Sequence, residues 1–149
     1  MDTINLNFKG TRSKRLEKSI AKIQKLLEAL NERDLPEDVL NNINEEIKKI
    51  NTADTESKLY EQINKSYNSI LKMVEKRLNL VTKNHYLAIW MAIGMAAFGI
   101  PFGVVFGLML ENMAFMGSGI GIGLAIGLPI GAGMDKKAKE EGRQLDISM

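Results

Sequence analysis

The stretch "GSGIGIGLAIGLPIGAG", residues 117–133, decides the fold because it places glycines four apart in an otherwise apolar run. Glycine weakens a helix in water and gives a soluble core little side chain to pack. In lipid, small residues instead let two helices approach closely, so that dispersion holds them together. Residues four apart share one helix face. The sequence therefore predicts a smooth helix-packing surface formed by Gly119, Gly123, Gly127 and Gly131.

This stretch belongs to the second of two long apolar segments, residues 86–110 and 115–134, and Glu111 is the one charged residue between 86 and 134. As helices, the two segments would span about 37 and about 30 Å, whereas the hydrocarbon core of a bilayer is roughly 30 Å thick. The alternative is a buried helical pair in a soluble protein. The rest of the chain would then have to cover two helices that are apolar all round, so a transmembrane hairpin is favoured.

The first segment also carries small residues that could pack against the glycines of the second. We expect a matching groove along its helix, formed by Ala88, Ala92, Ala96, Gly99, Gly103 and Gly107. Gly117, Gly121 and Gly133 widen the small-residue surface of the second helix, enough for contact with a neighbouring copy. The pattern therefore predicts tight packing within one hairpin and a homo-oligomer.

Basic residues flank both segments and predict their orientation. Lys72, Lys76, Arg77 and Lys83 precede the first segment, and Lys136, Lys137, Lys139 and Arg143 follow the second. The short connection has no Lys or Arg. The positive-inside rule then places both termini in the cytoplasm, with residues 135–149 as a cytoplasmic tail that we expect to be a short solvated helix. The predicted location is the cytoplasmic membrane of a bacterium.

Three residues of the hairpin are candidates for more than packing. Pro101 and Pro129 each remove a backbone hydrogen bond, so each is a candidate hinge, although kinks of this kind are common in membrane helices. Glu111 is a candidate pore mouth in an oligomer, although a charged residue also simply keeps a connection in water.

Residues 13–85 predict a cytoplasmic helical region, a three-helix bundle or coiled coil, after a flexible N-terminus at 1–12. The predicted seams follow alternating steps of four and three. They are Leu16, Ile20, Ile23, Leu27 and Leu30; Leu40, Ile43, Ile47 and Ile50; and Tyr60, Ile63, Tyr67, Ile70, Val74 and Val81. The third helix either continues into the membrane as a stalk or is broken by "TKNHY", residues 82–86.

The charges in this region are sorted along the chain. Residues 1–27 are basic, 28–61 acidic and 62–85 basic, which favours an antiparallel arrangement of the first two helices. The rival interpretation places "KRLEKSIAKIQK", residues 14–25, on the anionic inner leaflet as an amphipathic surface helix. In that case its Leu and Ile residues would lie in lipid instead of in a bundle.

Catalytic chemistry has little support in the sequence. The absence of cysteine excludes disulfides, thiol catalysis and cysteine-based zinc sites, and His85 is the one histidine. The residues predict no catalytic, cofactor-binding or metal site, and a net charge of +2 does not indicate nucleic-acid binding. We expect a non-enzymatic membrane protein whose partners are lipids, further copies and a cytoplasmic protein. The alternative is a pore-forming or membrane-perturbing effector built from oligomerised hairpins, and an enzyme ranks third.

The hairpin and tail, "YLAIWMAIGMAAFGIPFGVV" (86–105) through "GIGLAIGLPIGAGMDKKAKEEGRQL" (121–145), resemble the small bacterial membrane proteins called glycine-zipper family proteins. The resemblance covers residues 84 to about 145 and not the N-terminal helical region. It implies an inner-membrane hairpin with close glycine packing, and it brings no activity, cofactor or catalytic residue. The outer-membrane glycine-zipper lipoproteins differ, because they need a lipid-bearing cysteine that this sequence lacks.

Overall fold

The computed structural model of the protein describes residues 13–148. The flexible segment predicted at 1–12 lies outside this range. The described residues divide into two compact units. The first takes in residues 13–81 and 145–147, and the second takes in residues 82–144 and 148.

The first unit contains the helices α1 (Lys14–Asn31), α2 (Glu37–Asn51) and α3 (Glu56–Leu78). Each helix has an apolar face, and these faces share one core in which Leu16, Ile43 and Ile70 are fully buried. The helix starts are marked by local chemistry: the Ser13 hydroxyl accepts a hydrogen bond from the Leu16 amide at 3.3 Å, and Thr55 occupies the N-cap position of α3.

The core faces lie close to the predicted seams and differ from them by one residue per helix. Leu26, Val39 and Leu59 are buried, whereas the predicted Leu27 and Leu40 are only partly buried and Tyr60 is 41% exposed. The interpretation of residues 14–25 as a helix with its apolar face in lipid is wrong, because Leu16, Ile20 and Ile23 lie in the core.

The predicted third helix does not continue into the first apolar segment. It ends at Leu78, and Asn79 adopts a left-handed backbone conformation with φ 54°. The strand β1 (Val81–Lys83) follows, so Val81 is a buried strand residue and not part of a helical seam. Asn84, with φ 60°, then precedes the next helix at His85. Of the two alternatives for residues 82–86, the break is therefore the one observed.

The tail is not a short solvated helix. Its first residues extend the preceding helix to Glu140, and residues 144–148 form the strand β2 (Gln144–Ser148), which pairs with β1 in a two-stranded sheet. Leu145 and Ile147 are buried and belong to the core of the first unit. The alternation of apolar and polar residues in "QLDIS" fits a half-buried strand, although the segment is short. The described chain is therefore mostly helical, with a small sheet that the sequence reasoning missed.

The second unit is built from two long apolar helices. The first consists of α4 (His85–Gly94), a π-helical turn (Met95–Gly99) and α5 (Ile100–Met109). A short 3₁₀ turn (Met113–Phe115) leads into α6 (Met116–Glu140). The stretches His85–Met109 and Met113–Glu140 are long and apolar enough to cross a membrane. Their ends lie close to the predicted spans 86–110 and 115–134, except that α6 continues beyond residue 134.

Candidate functional site

The candidate site is the contact between the two apolar helices, because the residues singled out by the sequence lie there. The helices run antiparallel, so that Gly103 lies beside Met116 while Gly131 lies beside Leu87. A Cβ atom added at Gly103 would lie 2.6 Å from the Met116 carbonyl oxygen, and one at Gly131 would lie 2.6 Å from the Leu87 Cα atom. Main chain therefore meets main chain at both ends of the contact.

The four glycines of α6 that were predicted to pack share this contact. A Cβ atom at Gly119 would overlap the main chain of Gly99 and Gly103, and one at Gly127 would overlap the Trp90 carbonyl oxygen. At Gly123 it would lie 2.6 Å from the Gly94 carbonyl oxygen. Any side chain at these positions would therefore require the helices to move apart.

Gly107 lies at the edge of the contact and has a different environment. A Cβ atom there would lie 3.2 Å from both the Met113 sulfur and the Met116 Cγ atom, which belong to flexible side chains. By contrast, a Cβ atom at Gly99 would lie 3.3 Å from the rigid Gly119 carbonyl oxygen. The close approach therefore extends along the first helix from Leu87 to Gly103, and it relaxes towards the connection between the helices.

The π-helical turn changes which face of α4 contacts α6. The contact residues of the first helix are four apart at Gly107, Gly103 and Gly99, but the next one, Gly94, is five residues away. In the same turn the Ile100 amide donates to the Met95 carbonyl oxygen, five residues back, which is the hydrogen bond of a π-helix. The inserted residue rotates α4, so that its glycine face and not its alanine face meets α6.

Pro101 supplies a physical reason for this turn. A proline inside an α-helix lacks the amide donor, and its ring clashes with the carbonyl group four residues earlier. A π-helical turn just before the proline relieves this crowding. The groove predicted at Ala88, Ala92 and Ala96 is therefore wrong, because all three residues are exposed. Gly94 is the contact residue that sequence reasoning missed, although the combination of a proline and a five-residue step between glycines was a signal for it.

The remaining predicted residues lie away from the contact. Pro129 lies inside the continuous helix α6 and is exposed. Glu111 is exposed at the turn between the helices and has a φ of 49°. A Cβ atom at Gly117, Gly121 or Gly133 would meet nothing within 4 Å. The role of these three glycines in contact with a further copy stays a prediction, as do the hinge and pore-mouth roles.

The carboxylate of Asp135, in α6, binds the start of α4 and so joins the two helices at that end. Its Oδ1 atom accepts a hydrogen bond from the Tyr86 amide at 3.1 Å, and its Oδ2 atom accepts one from the Leu87 amide at 2.9 Å. These amides belong to the first turn of α4, where donors have no partner within the helix and a negative charge is stabilised. Asp135 is only 7% exposed. Sequence reasoning missed this role, because a cap from a distant helix leaves no local spacing signal.

A second polar contact supports the same end. The Trp90 indole nitrogen of the first helix donates to the Met134 sulfur of the second at 2.9 Å. The described residues contain no group of three or more His, Asp or Glu side chains placed to hold a metal ion. What this arrangement can do is hold two helices together at very short range.

No protein-family model, characterised protein or solved structure matches the chain.

Proposed function

We propose that the chain is a non-enzymatic integral membrane protein of the bacterial cytoplasmic membrane, related to the small glycine-zipper membrane proteins. In this proposal, the two apolar helices cross the bilayer as a hairpin with both termini in the cytoplasm. The three helices α1–α3 form a cytoplasmic module that binds a protein partner, and the protein assembles with further copies of itself.

The observation that carries the proposal is the distribution of side chains in the second unit, which is the reverse of that in a water-soluble domain. Glycine main chain fills the contact between the helices, while large apolar side chains point outward along both of them. Ile100 and Leu108 are each 62% exposed, and Phe98, Phe102 and Ile120 are exposed as well. In water this surface would be strongly unfavourable, whereas in lipid it is the solvated surface.

The ends of the two helices support the proposed orientation. Lys83 lies just before the first helix and Lys136, Lys137 and Lys139 lie near the end of the second, whereas the connection between them carries Glu111 and no basic residue. This asymmetry is the one that the positive-inside rule associates with a cytoplasmic side.

The core of the first unit supports a separate role for the module. Its apolar residues are buried against one another, so the module does not need lipid to cover them. Its outer surface is charged, which is typical of a domain that works in water beside a membrane.

Cysteine labelling tests the proposal directly, because the natural chain contains no cysteine. Asn112→Cys reports on the connection between the spans, and Ser57→Cys reports on the module. In intact spheroplasts, a membrane-impermeant maleimide should label the cysteine at 112, while the one at 57 should react only after permeabilisation. Equal labelling at both positions in intact cells, or release of the chain by an alkaline wash, would contradict the proposal.

The competing pore proposal has its own test. The exposed faces of the described helices carry large apolar side chains and no polar stripe that could line a water-filled channel. We therefore expect the reconstituted protein to give no conductance in planar bilayers at any voltage or tension. Discrete conductance steps that change with Glu111→Gln would support the pore instead.

A further inference from the structure

A row of basic side chains lies on the outer face of α1, and the proposed partner module does not account for it. Arg15, Lys18, Lys22 and Lys25 are three, four and three residues apart, a spacing that places them on one side of a helix. All four are exposed, while Leu16 and Ile23 of the same helix are buried in the core. We call these four residues the basic ridge.

The four side chains of the basic ridge are also without ion pairs in the part of the chain that the structure describes. Within the described residues, no carboxylate lies within ion-pair distance of any ridge side chain. Elsewhere in the unit, Lys49, Lys58 and Lys65 each pair with a carboxylate on the same helix or just before it.

This arrangement is unfavourable for a helix surrounded only by water. Like charges at positions three and four apart repel each other, whereas the pairing of Lys58 with Asp54 and of Lys65 with Glu61 is mutually stabilising. An external layer of negative charge would turn this repulsion into attraction. The ridge is therefore complementary to an extended anionic surface and not to a single carboxylate.

The connection to the apolar helices determines which anionic surface is within reach. The module's last helix ends at Leu78, and the first apolar helix begins at His85. Six intervening residues extend at most about 20 Å. If the apolar helices lie in a bilayer, this connection tethers the module to the membrane, and the charge of the inner leaflet is the extended anionic surface within its reach.

We propose that the basic ridge of α1 binds anionic phospholipid headgroups of the inner leaflet. The apolar face of α1 stays in the protein core, so attachment is electrostatic and uses no inserted side chain. This inference rests on the proposed function, because it needs the apolar helices to be in a membrane. Its consequence is that lipid charge sets the orientation of the partner-binding module.

The variants for the test are matched in charge. Arg15→Gln, Lys18→Gln and Lys25→Gln together remove three charges from the ridge. Lys22 is left in place because its Nζ atom lies 4.6 Å from the centre of the Tyr67 ring, so its loss would also change packing. The control carries Lys48→Gln, Lys58→Gln and Lys65→Gln, which remove three exposed charges from α2 and α3.

The measurement uses the full chain in proteoliposomes. A fluorophore on Ala21→Cys, an exposed position of α1, donates to a headgroup-labelled acceptor lipid. The vesicles contain phosphatidylcholine alone or an equal mixture with phosphatidylglycerol. We expect higher transfer efficiency in the anionic vesicles, lost in the ridge variant and at high salt but retained in the control. At about fivefold per basic residue, the ridge variant should lower the ratio of membrane-bound to free module roughly a hundredfold.

Two results would overturn the inference. The first is equal transfer efficiency in neutral and anionic vesicles, and the second is an equal loss in the ridge and control variants. An altered oligomer size in the ridge variant, with no response to lipid charge, would assign the ridge to a further copy of the chain. Flotation after an alkaline wash separates the two proposals, since a chain that does not float contradicts the proposed function as well.

Discussion

Asp135 caps a helix that begins 50 residues earlier, at His85: its Oδ2 atom accepts a hydrogen bond from the Leu87 amide at 2.9 Å. The second oxygen accepts the neighbouring amide of Tyr86. One side chain thus satisfies two donors at the start of the first apolar helix and joins the two helices at that end.

Removal of this cap should loosen the helix pair. We expect Asp135→Ala to destabilise the protein by about 1–2 kcal/mol, because two partly buried amides lose their acceptor. Asp135→Asn keeps one acceptor and should recover part of the loss. Thermal unfolding in mild detergent measures the effect, and Glu140→Ala, an exposed position on the same helix, is the control. Equal melting temperatures for Asp135→Ala and Glu140→Ala would contradict the capping role.

Two glycines of α6 should respond to alanine with opposite signs. Gly123→Ala places a methyl group against the Gly94 carbonyl oxygen and should cost about 1–3 kcal/mol. Gly121→Ala meets open space and should stabilise the helix by up to about 1 kcal/mol, since alanine is the better helix former. Unfolding in detergent ranks the two variants. A loss of stability in both would show that the open face of α6 is also packed, as it would be in an oligomer.

The role of Pro101 in the π-helical turn can be tested by whether its replacement reverses which position, 94 or 96, is sensitive to a larger side chain. In the natural sequence, Gly94→Ala should be harmful and Ala96→Leu tolerated, because Gly94 faces α6 and Ala96 is exposed. In a Pro101→Ala background the turn should become α-helical, which moves Ala96 into the contact. We then expect Ala96→Leu to become the harmful change, by about 1–3 kcal/mol. The same ranking in both backgrounds would mean that Pro101 does not cause the turn.

The Tyr67 hydroxyl offers a stabilising substitution. It is buried and has no hydrogen-bond partner among the described residues, and burial raises the pKa of this phenol above its usual value. Tyr67→Phe removes the unsatisfied group and keeps the ring under Lys22, so we expect a gain of about 1 kcal/mol. Hydrogen exchange of the α3 amides measures it. Tyr60→Phe, at an exposed position, should change nothing, and a loss of protection in Tyr67→Phe would contradict the prediction.

Glu46 should make the first unit sensitive to acid. Burial alone would raise the pKa of this carboxyl, but hydrogen bonds from Lys49, Ser66 and Ser69 and the charge of Lys49 lower it below the ordinary value of 4.5. A carboxylate with a lowered folded-state pKa stabilises the protein above the unfolded pKa, and the contribution disappears as the pH falls through the folded pKa.

The matching experiment compares stability above and below that window. Protection of the α2 amides, corrected for intrinsic exchange, should fall between about pH 5 and pH 3 in the natural chain and should fall less in Glu46→Gln. Glu45→Gln, an exposed neighbour, serves as the control and should behave like the natural chain. If Glu46→Gln loses protection with the same pH dependence as the natural chain, the Glu46 contacts do not contribute.

The sequence indicated the apolar helices because their signal is local and long. Composition alone identified two helices that could cross a membrane, and four-residue spacing identified Gly99, Gly103 and Gly119 at their contact. The apolar seams of α1–α3 were predicted to within one residue. The errors at Leu27 and Leu40 have a simple cause, since a heptad assumes a two-stranded seam, whereas a core shared by three helices draws on a wider face.

The features that were missed depend on contacts between distant residues. Gly94 contacts α6 in place of the predicted alanines because the π-helical turn inserts one extra residue between it and Gly99. A search for small residues at a constant spacing of four does not detect such an insertion. The Asp135 cap joins residues that are far apart in the chain. Residues 144–148 are too few to give a reliable strand signal beside a helical, highly charged segment.

Leu145 and Ile147 also impose an order on biosynthesis. They complete a core whose other described members precede residue 82, so both apolar helices are synthesised before the last pieces of that core. The core of the first unit therefore cannot be completed until the whole apolar part of the chain has been synthesised. A chain that stalled or was cut after the second apolar helix would leave the first unit without two of its core residues, and an incompletely packed domain of this kind is a substrate for quality-control proteases.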